Sequence, residues 1–250
     1  MGGVHSAEEK PGPRPSISLW AEDNDISAED LAEAYGLGLG SDSLATASKE
    51  DKTNHGLIEG HQIGKFVAID CEMVGVGPGG YESALARVSL VDFHGKQIYD
   101  SYVKPQEKVT DWRTAVSGIS PAEMKFARDF SEVQEQVCAI MQHRVLVGHD
   151  LAHDLEALKL SHPAQDIRDT VMHPGFRKYA DGRKPSLRVL ARNILGVEIQ
   201  SGAHSSIEDA RVTMLIFRKN KPEFDVSHAF RYGARPSHSK PRVENKKRRK

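Results

Sequence analysis

Apolar and polar positions along this chain fall into a regular order from Gly64 onward. The run KFVAID is short, apolar and rich in residues that suit a pleated surface, which predicts a buried strand. GVGPGGYE then reads as a loop. LARVSLVDF and QIYDSYVK alternate apolar and polar residues and are separated by HGK, so they predict a hairpin. Beyond them the period lengthens towards that of a helix. Ser120, Pro121 and Glu123 make a capping box with proline at the first helical position. Val133, Val137, Ile140 and Met141 fall at helical spacing between Ser131 and Gln142. RVLVGH predicts another apolar strand, followed by a helix over 152–160. DIRDT predicts a short strand, and SLRVLARNILG a helix that Gly196 stops. Ala210, Met214 and Phe217 place a last helix over 207–218.

Three strands in succession, followed by alternation with helices, predict an α/β fold with a mixed sheet of five strands flanked by helices. A ribonuclease H-like architecture fits that order. The flanks read differently. Residues 1–62 are acidic and rich in Gly, Ser, Pro and Ala, which predicts an extension largely without fixed structure. Within it Ser27 and Asp30 resemble a capping box, and Ile26, Leu31 and Tyr35 form one stripe. A short helix near 27–35 is expected, docking with Trp20 on the domain or on a partner. The folded domain is set at 63–225 and a basic disordered tail at 226–250.

Composition supports this division. Only 38% of the 250 residues are hydrophobic and mean hydropathy is −0.50, as expected of a core domain with polar extensions. From Arg231 to Lys250 nine Lys/Arg face one Glu, a balance of +8; the rest of the chain carries 25 Lys/Arg against 34 Asp/Glu, a balance of −9. The terminal KKRRK suits nuclear import or non-specific contact with phosphates. The two cysteines, Cys71 and Cys138, have no CxxC spacing, which argues against a cysteine-built zinc site and for a reduced, intracellular setting. No apolar run approaches the ~20 residues of a membrane span.

Four acidic residues carry the chemistry: Asp70 and Glu72 in FVAIDCEM, Asp154 in VGHDLAHDLEAL, and Asp209 in HSSIEDARVTM. Asp70 and Glu72 are two apart, so a strand turns them to the same side. They follow an apolar strand, where α/β folds place ligands. Carboxylates gathered at buried positions repel one another unless a cation lies between them. Their hard oxygens suit Mg2+ or Mn2+, and paired cations of that kind cut phosphodiesters. Asp154 opens a predicted helix, where an acid also favours the helix dipole, a service Asp150 could equally perform. Asp209 lies in the first turn of the last helix; a Ser205–Glu208 capping box would leave it free for metal. His204, in the loop SGAHSS, is of the residue type suited to a general base at neutral pH.

These segments resemble the three motifs of the DEDD exonucleases in their histidine-containing branch (DEDDh). AIDCEMVGVGPGG, DWRTAVSGISP, KPSLRVLARNILGVEIQ and HSSIEDARVTMLIFR are similar to the RNA exonuclease 4 family, over roughly Lys65 to Phe217. The resemblance implies that Asp70, Glu72 and Asp209 hold one divalent cation and that Asp70 bridges to a second, which Asp154 holds directly or through water. It implies His204 as general base and release of nucleoside 5′-monophosphates from a 3′ end. It also implies that Met73 packs against the terminal nucleoside and that Arg113 and His149 hold it. Lys178, Arg183, Lys184 and Arg188 join Arg113 as a basic rim for the strand. The expected partner is single-stranded RNA with a free 3′ end, handled by a monomer away from membranes. The expected place is the nucleus, in the nucleolus, with ribosomal RNA precursors and pre-ribosomal proteins. Two competing readings are a DNA exonuclease of repair type and a ribosome-assembly or RNA-binding factor with a dispensable active site.

Overall fold

A mixed sheet runs through the middle of the computed structural model, which describes residues 51–60 and 62–233. Its strands are β1 (Gly56–Leu57), β2 (Phe66–Val76), β3 (Glu82–Asp92), β4 (Gln97–Tyr102), β5 (Val109–Asp111), β6 (Val145–Gly148) and β7 (Ile167–Asp169). They lie in the order β1-β4-β3-β2-β6-β7, with β5 paired to the far end of β2. β2, β3, β4 and β1 are antiparallel neighbours, whereas β6 and β7 continue the sheet in parallel from β2. The sheet has seven strands where five were expected. The two additions, β1 and β5, are two and three residues long, too short for alternation to reveal.

β2 is central and buried along nearly its whole length, because helices cover both faces. The helices are α1 (Thr114–Ser117), α2 (Phe130–Met141), α3 (Leu151–Ala157), α4 (Leu187–Leu190), α5 (Ser206–Lys219) and α6 (Lys221–Tyr232). Alternate residues of β2 feed separate cores. Phe66 and Ala68 pack with Val147, Ala210, Met214 and Phe217 beneath α5. Val67, Ile69 and Cys71 pack with Val133, Val137 and Leu151 beneath α2 and α3. Asp70 and Glu72 belong to the first series, so strand periodicity alone aims them at α5.

Several expectations need correction. The folded region begins before residue 63: β1 pairs with β4, and Asp51 meets Arg211 of α5 at 2.6 Å. It also continues past 225, because α6 runs to Tyr232. That helix buries only Lys221 and Phe224, so it carries little apolar signal; Lys221 is matched at 2.8 Å by Asp225 one turn on. The expected capping box only half forms: the Glu123 carboxylate accepts from the Ser120 N–H at 2.9 Å, but the Ser120 hydroxyl accepts from the Ala122 N–H at 3.2 Å and not from that of Glu123. Only a 3-10 turn over Glu123–Phe126 follows. The helix expected from SLRVLARNILG is α4 followed by a π turn, Ala191–Leu195, before Gly196 turns left-handed at φ 75°. The expected helix near 27–35 and the tail from 234 onward lie outside the described residues.

Candidate active site

The strand carrying Asp70 does not end there, as its sequence implied. β2 continues through Val76, with a bulge between Glu72 and Met73 that kinks it beside the acids. Asp70 stands opposite Ser89 of β3, and Glu72 opposite Arg87. α5 starts directly above them. Ligand oxygens of Asp70, Glu72 and Asp209 lie within 4.8 Å of one another.

What fixes the start of α5 is not the expected capping box. Ser205 precedes the helix with extended backbone and no side-chain cap bond. Ser206 anchors it instead. The Ser89 hydroxyl donates to Asp100 Oδ1 at 2.6 Å, so the Ser206 hydroxyl, 2.7 Å from Ser89 Oγ, donates to Ser89. Arg87 Nε also donates to Asp100 Oδ1, at 2.9 Å. The Ser206 backbone N–H points at the Glu72 carboxylate. Sheet and helix are thereby joined through a buried polar chain ending on a candidate ligand. Gln200 Nε2 donates to Asp209 Oδ2 at 2.8 Å, which holds the other side of that carboxylate.

Asp154 reaches the same place from the opposite layer. It sits in the first turn of α3, 4% exposed, with Cys71 of β2 beside its carboxylate, favouring the charged form. The start of α3 is served by another acid. Asp169, at the end of β7, accepts from the N–H groups of Asp150 and Leu151 at 3.0 and 3.1 Å. Neither Asp154 nor Asp150 performs that task, so Asp154 faces its fellow carboxylates. Asp169 went unnoticed because a single acid ending a three-residue strand has no distinguishing pattern.

The surroundings set the electrostatics. Asp70 is half-buried, yet desolvation by packed neighbours raises its pKa well above the ordinary carboxylate range, and Asp154, Asp209 and Glu72 raise it further. Burial pushes Glu72 up to about 8, with Asp209 adding to the effect and Arg87 opposing it. Asp154 and Asp209 are raised by burial too, resisted by Cys71 at one and by Gln200 and His204 at the other. Glu72 Oε1 is buried without a hydrogen-bond partner among the described residues. Clustered, desolvated hard oxygens, one of them unsatisfied, are the donor set a divalent cation fits.

A cleft of about 690 Å³ opens beside the cluster, lined by Glu72, Met73, Arg113, Val116, His153 and His204 among others. His204 is 36% exposed; its Nδ1 lies 3.7 Å from Asp209 Oδ2, and its N–H is held by the Val116 carbonyl at 2.7 Å. Met73 is half-buried in the wall. Arg113 lies in the cleft, but among the described residues its guanidinium neither stacks on an aromatic ring nor meets an acid. That group donates to Ser83 Oγ at 2.9 Å and the Gly80 carbonyl at 2.8 Å, fixing the turn at the rim. His149 is not among the residues lining this cleft. Its Nδ1 is 2.8 Å from Thr170 Oγ1, and burial lowers its pKa to about 4, so it is neutral. The expected basic rim is largely engaged elsewhere: Lys184 with Asp150 at 3.3 Å, Lys178 over the Tyr179 ring, and Arg188 with the Ile199 carbonyl at 3.2 Å.

Residues 67–217 match the RNase_T family of exonucleases. RNA exonuclease 4 of Gibberella zeae is 65% identical to this chain over 253 residues, covering 100% of the chain and 79% of that relative. RNA exonuclease 4 of Saccharomyces cerevisiae is 56% identical over 168 residues, covering 67% and 58% respectively. Among solved structures, the Neurospora crassa Pan2 catalytic unit, a protease and nuclease domain, aligns with TM-score 0.60 at 26% identity over 77% of this chain. The Saccharomyces cerevisiae Pan2 module in complex with AAUUAA RNA aligns with TM-score 0.58 at 27% identity over 78% of it. This chain spans 33% and 36% of those two Pan2 chains. The shared part is a ribonuclease H-like nuclease fold.

Proposed function

The chain belongs to the exonuclease family, in its RNA exonuclease 4 branch, and from that premise we propose that it shortens single-stranded RNA from the 3′ end, releasing nucleoside 5′-monophosphates. One observation carries the reading: carboxylates from β2 and α5, far apart in sequence, share a space of 4.8 Å, with Asp154 brought beside them from α3. In this reading Asp70, Glu72 and Asp209 would hold one divalent cation, Mg2+ or Mn2+, and Asp70 would share a second with Asp154, the latter directly or through water. Bound there, such ions offset the phosphate charge and make water more acidic. The protein's own groups do the rest. His204 stands at the cleft edge and takes the proton of the attacking water, with the Asp209 carboxylate 3.7 Å from its Nδ1. Met73 offers the terminal nucleoside an apolar wall. Arg113 shapes the rim by clamping the turn over Gly80–Ser83. The RNA named in the S. cerevisiae Pan2 complex and the names of the relatives support RNA as the substrate class. The basic end of the chain fits work in the nucleus, in the nucleolus, on ribosomal RNA precursors.

The test is purified chain with RNA and DNA oligomers carrying free or phosphate-blocked 3′ ends, with and without chelator. Unblocked RNA should shorten stepwise to 5′-monophosphates only when divalent cation is present. Cleavage of blocked RNA, indifference to chelator, or preference for DNA would each contradict the assignment.

A further inference from the structure

An aromatic ring stands open at the mouth of the catalytic cleft. Tyr81 lines that cleft together with Met73, Ser83, Arg113 and Val116, and it is 89% exposed. So little buried ring surface adds almost nothing to the stability of the fold. The backbone that carries the ring is nonetheless held tightly. The Thr110 hydroxyl donates to the Gly77 carbonyl at 2.8 Å. The Arg113 guanidinium donates to the Gly80 carbonyl at 2.8 Å and to Ser83 Oγ at 2.9 Å, so one side chain grips the turn on both sides of Tyr81. Gly79 and Gly80 adopt φ of 77° and 70°, which residues with a Cβ resist. A Cβ on Gly79 would come within 2.5 Å of the Tyr81 ring, and one on Gly80 within 2.7 Å of Asp111 Cβ. The ring therefore rests against bare backbone and turns its remaining surface to water.

Position and chemistry decide what meets that surface. Tyr81 precedes Glu82, which pairs with Val76, so the turn lies roughly 13 Å along β2 from Glu72. That separates it from the carboxylates, where the reacting phosphate is handled. Val116, 56% exposed, and half-buried Met73 add apolar surface to the same cleft. Two other open aromatic side chains, Phe126 and Phe230, line no part of it. A single strand entering the cleft presents anionic phosphates and flat bases. An open phenol ring on rigid backbone carries no charge for the phosphates and offers the bases a π-face.

We propose that Tyr81 is a stacking platform for one base of the RNA held in the catalytic cleft. This rests on the exonuclease reading and adds a substrate contact to it. Stacking reads the area of a base and not its hydrogen-bonding edge, so the strand is held with little regard to sequence, purines more tightly than pyrimidines. The contact lies away from the reacting phosphate and is the same in bound substrate and transition state. It therefore sets KM and leaves kcat alone.

The test is steady-state kinetics on single-stranded RNA of the full chain and of its Tyr81→Ala, Tyr81→Phe and Phe230→Ala variants. Tyr81→Ala should raise KM about ten-fold, with kcat within about two-fold of the unsubstituted chain. Tyr81→Phe keeps the ring and should restore KM. Phe230→Ala removes an equally open ring outside the cleft and should leave KM unchanged. Oligomers with one abasic nucleotide at successive places from the 3′ end then locate the base. At one place the unsubstituted chain should lose the same factor in KM, and Tyr81→Ala should lose nothing further. An unchanged KM in Tyr81→Ala, failure of Tyr81→Phe to restore it, an equal rise in Phe230→Ala, or additive losses at every abasic place would each overturn the proposal. An unsubstituted chain that shortens no RNA refutes the exonuclease reading and this contact with it, a result distinct from all of these.

Discussion

Replacing Glu72 by Gln should stabilise the cation-free protein at alkaline pH and destabilise it relative to the unsubstituted chain once cations are added. In the unfolded chain Glu72 ionises near 4.5; in the folded site it does so near 8, chiefly because it is buried and then because Asp209 is close. Between those values the unfolded state releases a proton that the folded state keeps, so stability falls as pH rises. Each pH step is worth about 1.4 kcal/mol, which puts the loss at roughly 3 kcal/mol at pH 7 and roughly 4–5 kcal/mol from pH 8 upward. Glutamine removes that loss but leaves a buried amide poorly partnered, at about 1–3 kcal/mol. The net gain at pH 8 is therefore about 2 kcal/mol. For a domain of this size that raises Tm by about 4–8 °C. At pH 5 the gain vanishes or reverses. Cations at a hundred-fold excess over Kd would return about 2.7 kcal/mol to the unsubstituted chain and far less to the variant. Thermal unfolding followed by tryptophan fluorescence, in chelator at pH 5 and pH 8 and then in Mn2+, reads all three conditions. If the order of the two proteins does not reverse between chelator and Mn2+ at pH 8, the cation role of Glu72 is wrong.

Other outcomes follow from the same geometry. Asp70→Asn should abolish turnover while leaving the fold intact by circular dichroism, since it withdraws the carboxylate common to both proposed cation positions; near-normal rates would remove it from that role. His204→Ala should lower kcat by about 10²–10⁴-fold. It should also flatten the acid limb of the pH–rate profile with little change in Mn2+ affinity, and an unaltered profile would assign the proton transfer elsewhere. Ser206→Ala breaks the buried chain from Asp100 to the start of α5. It should weaken Mn2+ binding by calorimetry at unchanged stoichiometry, whereas unchanged affinity would make that chain purely structural. Deleting Lys240–Lys250 should reduce nuclear accumulation or RNA affinity without altering Mn2+ binding; if neither changes, the basic run is only a solvated extension.

The sequence exposed the long elements and the chemistry but not how they are held. β3, β4, α2 and α5 repeat apolar residues over enough turns or pleats for period to be read, and β2 and β6 show as unbroken apolar runs. β1, β5 and α1 contain two to four residues and depend on partners distant in sequence. α6 went unread because one buried Phe and a buried Lys give no stripe. Asp70 and Glu72 were visible as a same-side pair, yet strand continuity and the bulge after Glu72 were hidden, because glycines in VGVGPGG suggest a loop. Asp209 lies in the first turn of α5 as the helical spacing placed it, but Ser206 on Ser89, not the expected Ser205–Glu208 box, fixes the helix start. His149 could not be located from spacing, since its direction depends on Thr170 in a strand register that only folding establishes.

The most direct measurement is anomalous diffraction from crystals of the full chain grown with Mn2+. Two peaks about 3.5–4 Å apart, bounded by Asp70, Glu72, Asp154 and Asp209, are predicted. Well-ordered carboxylates with no peak among them in saturating Mn2+, or peaks only at unrelated surface acids, would contradict the account.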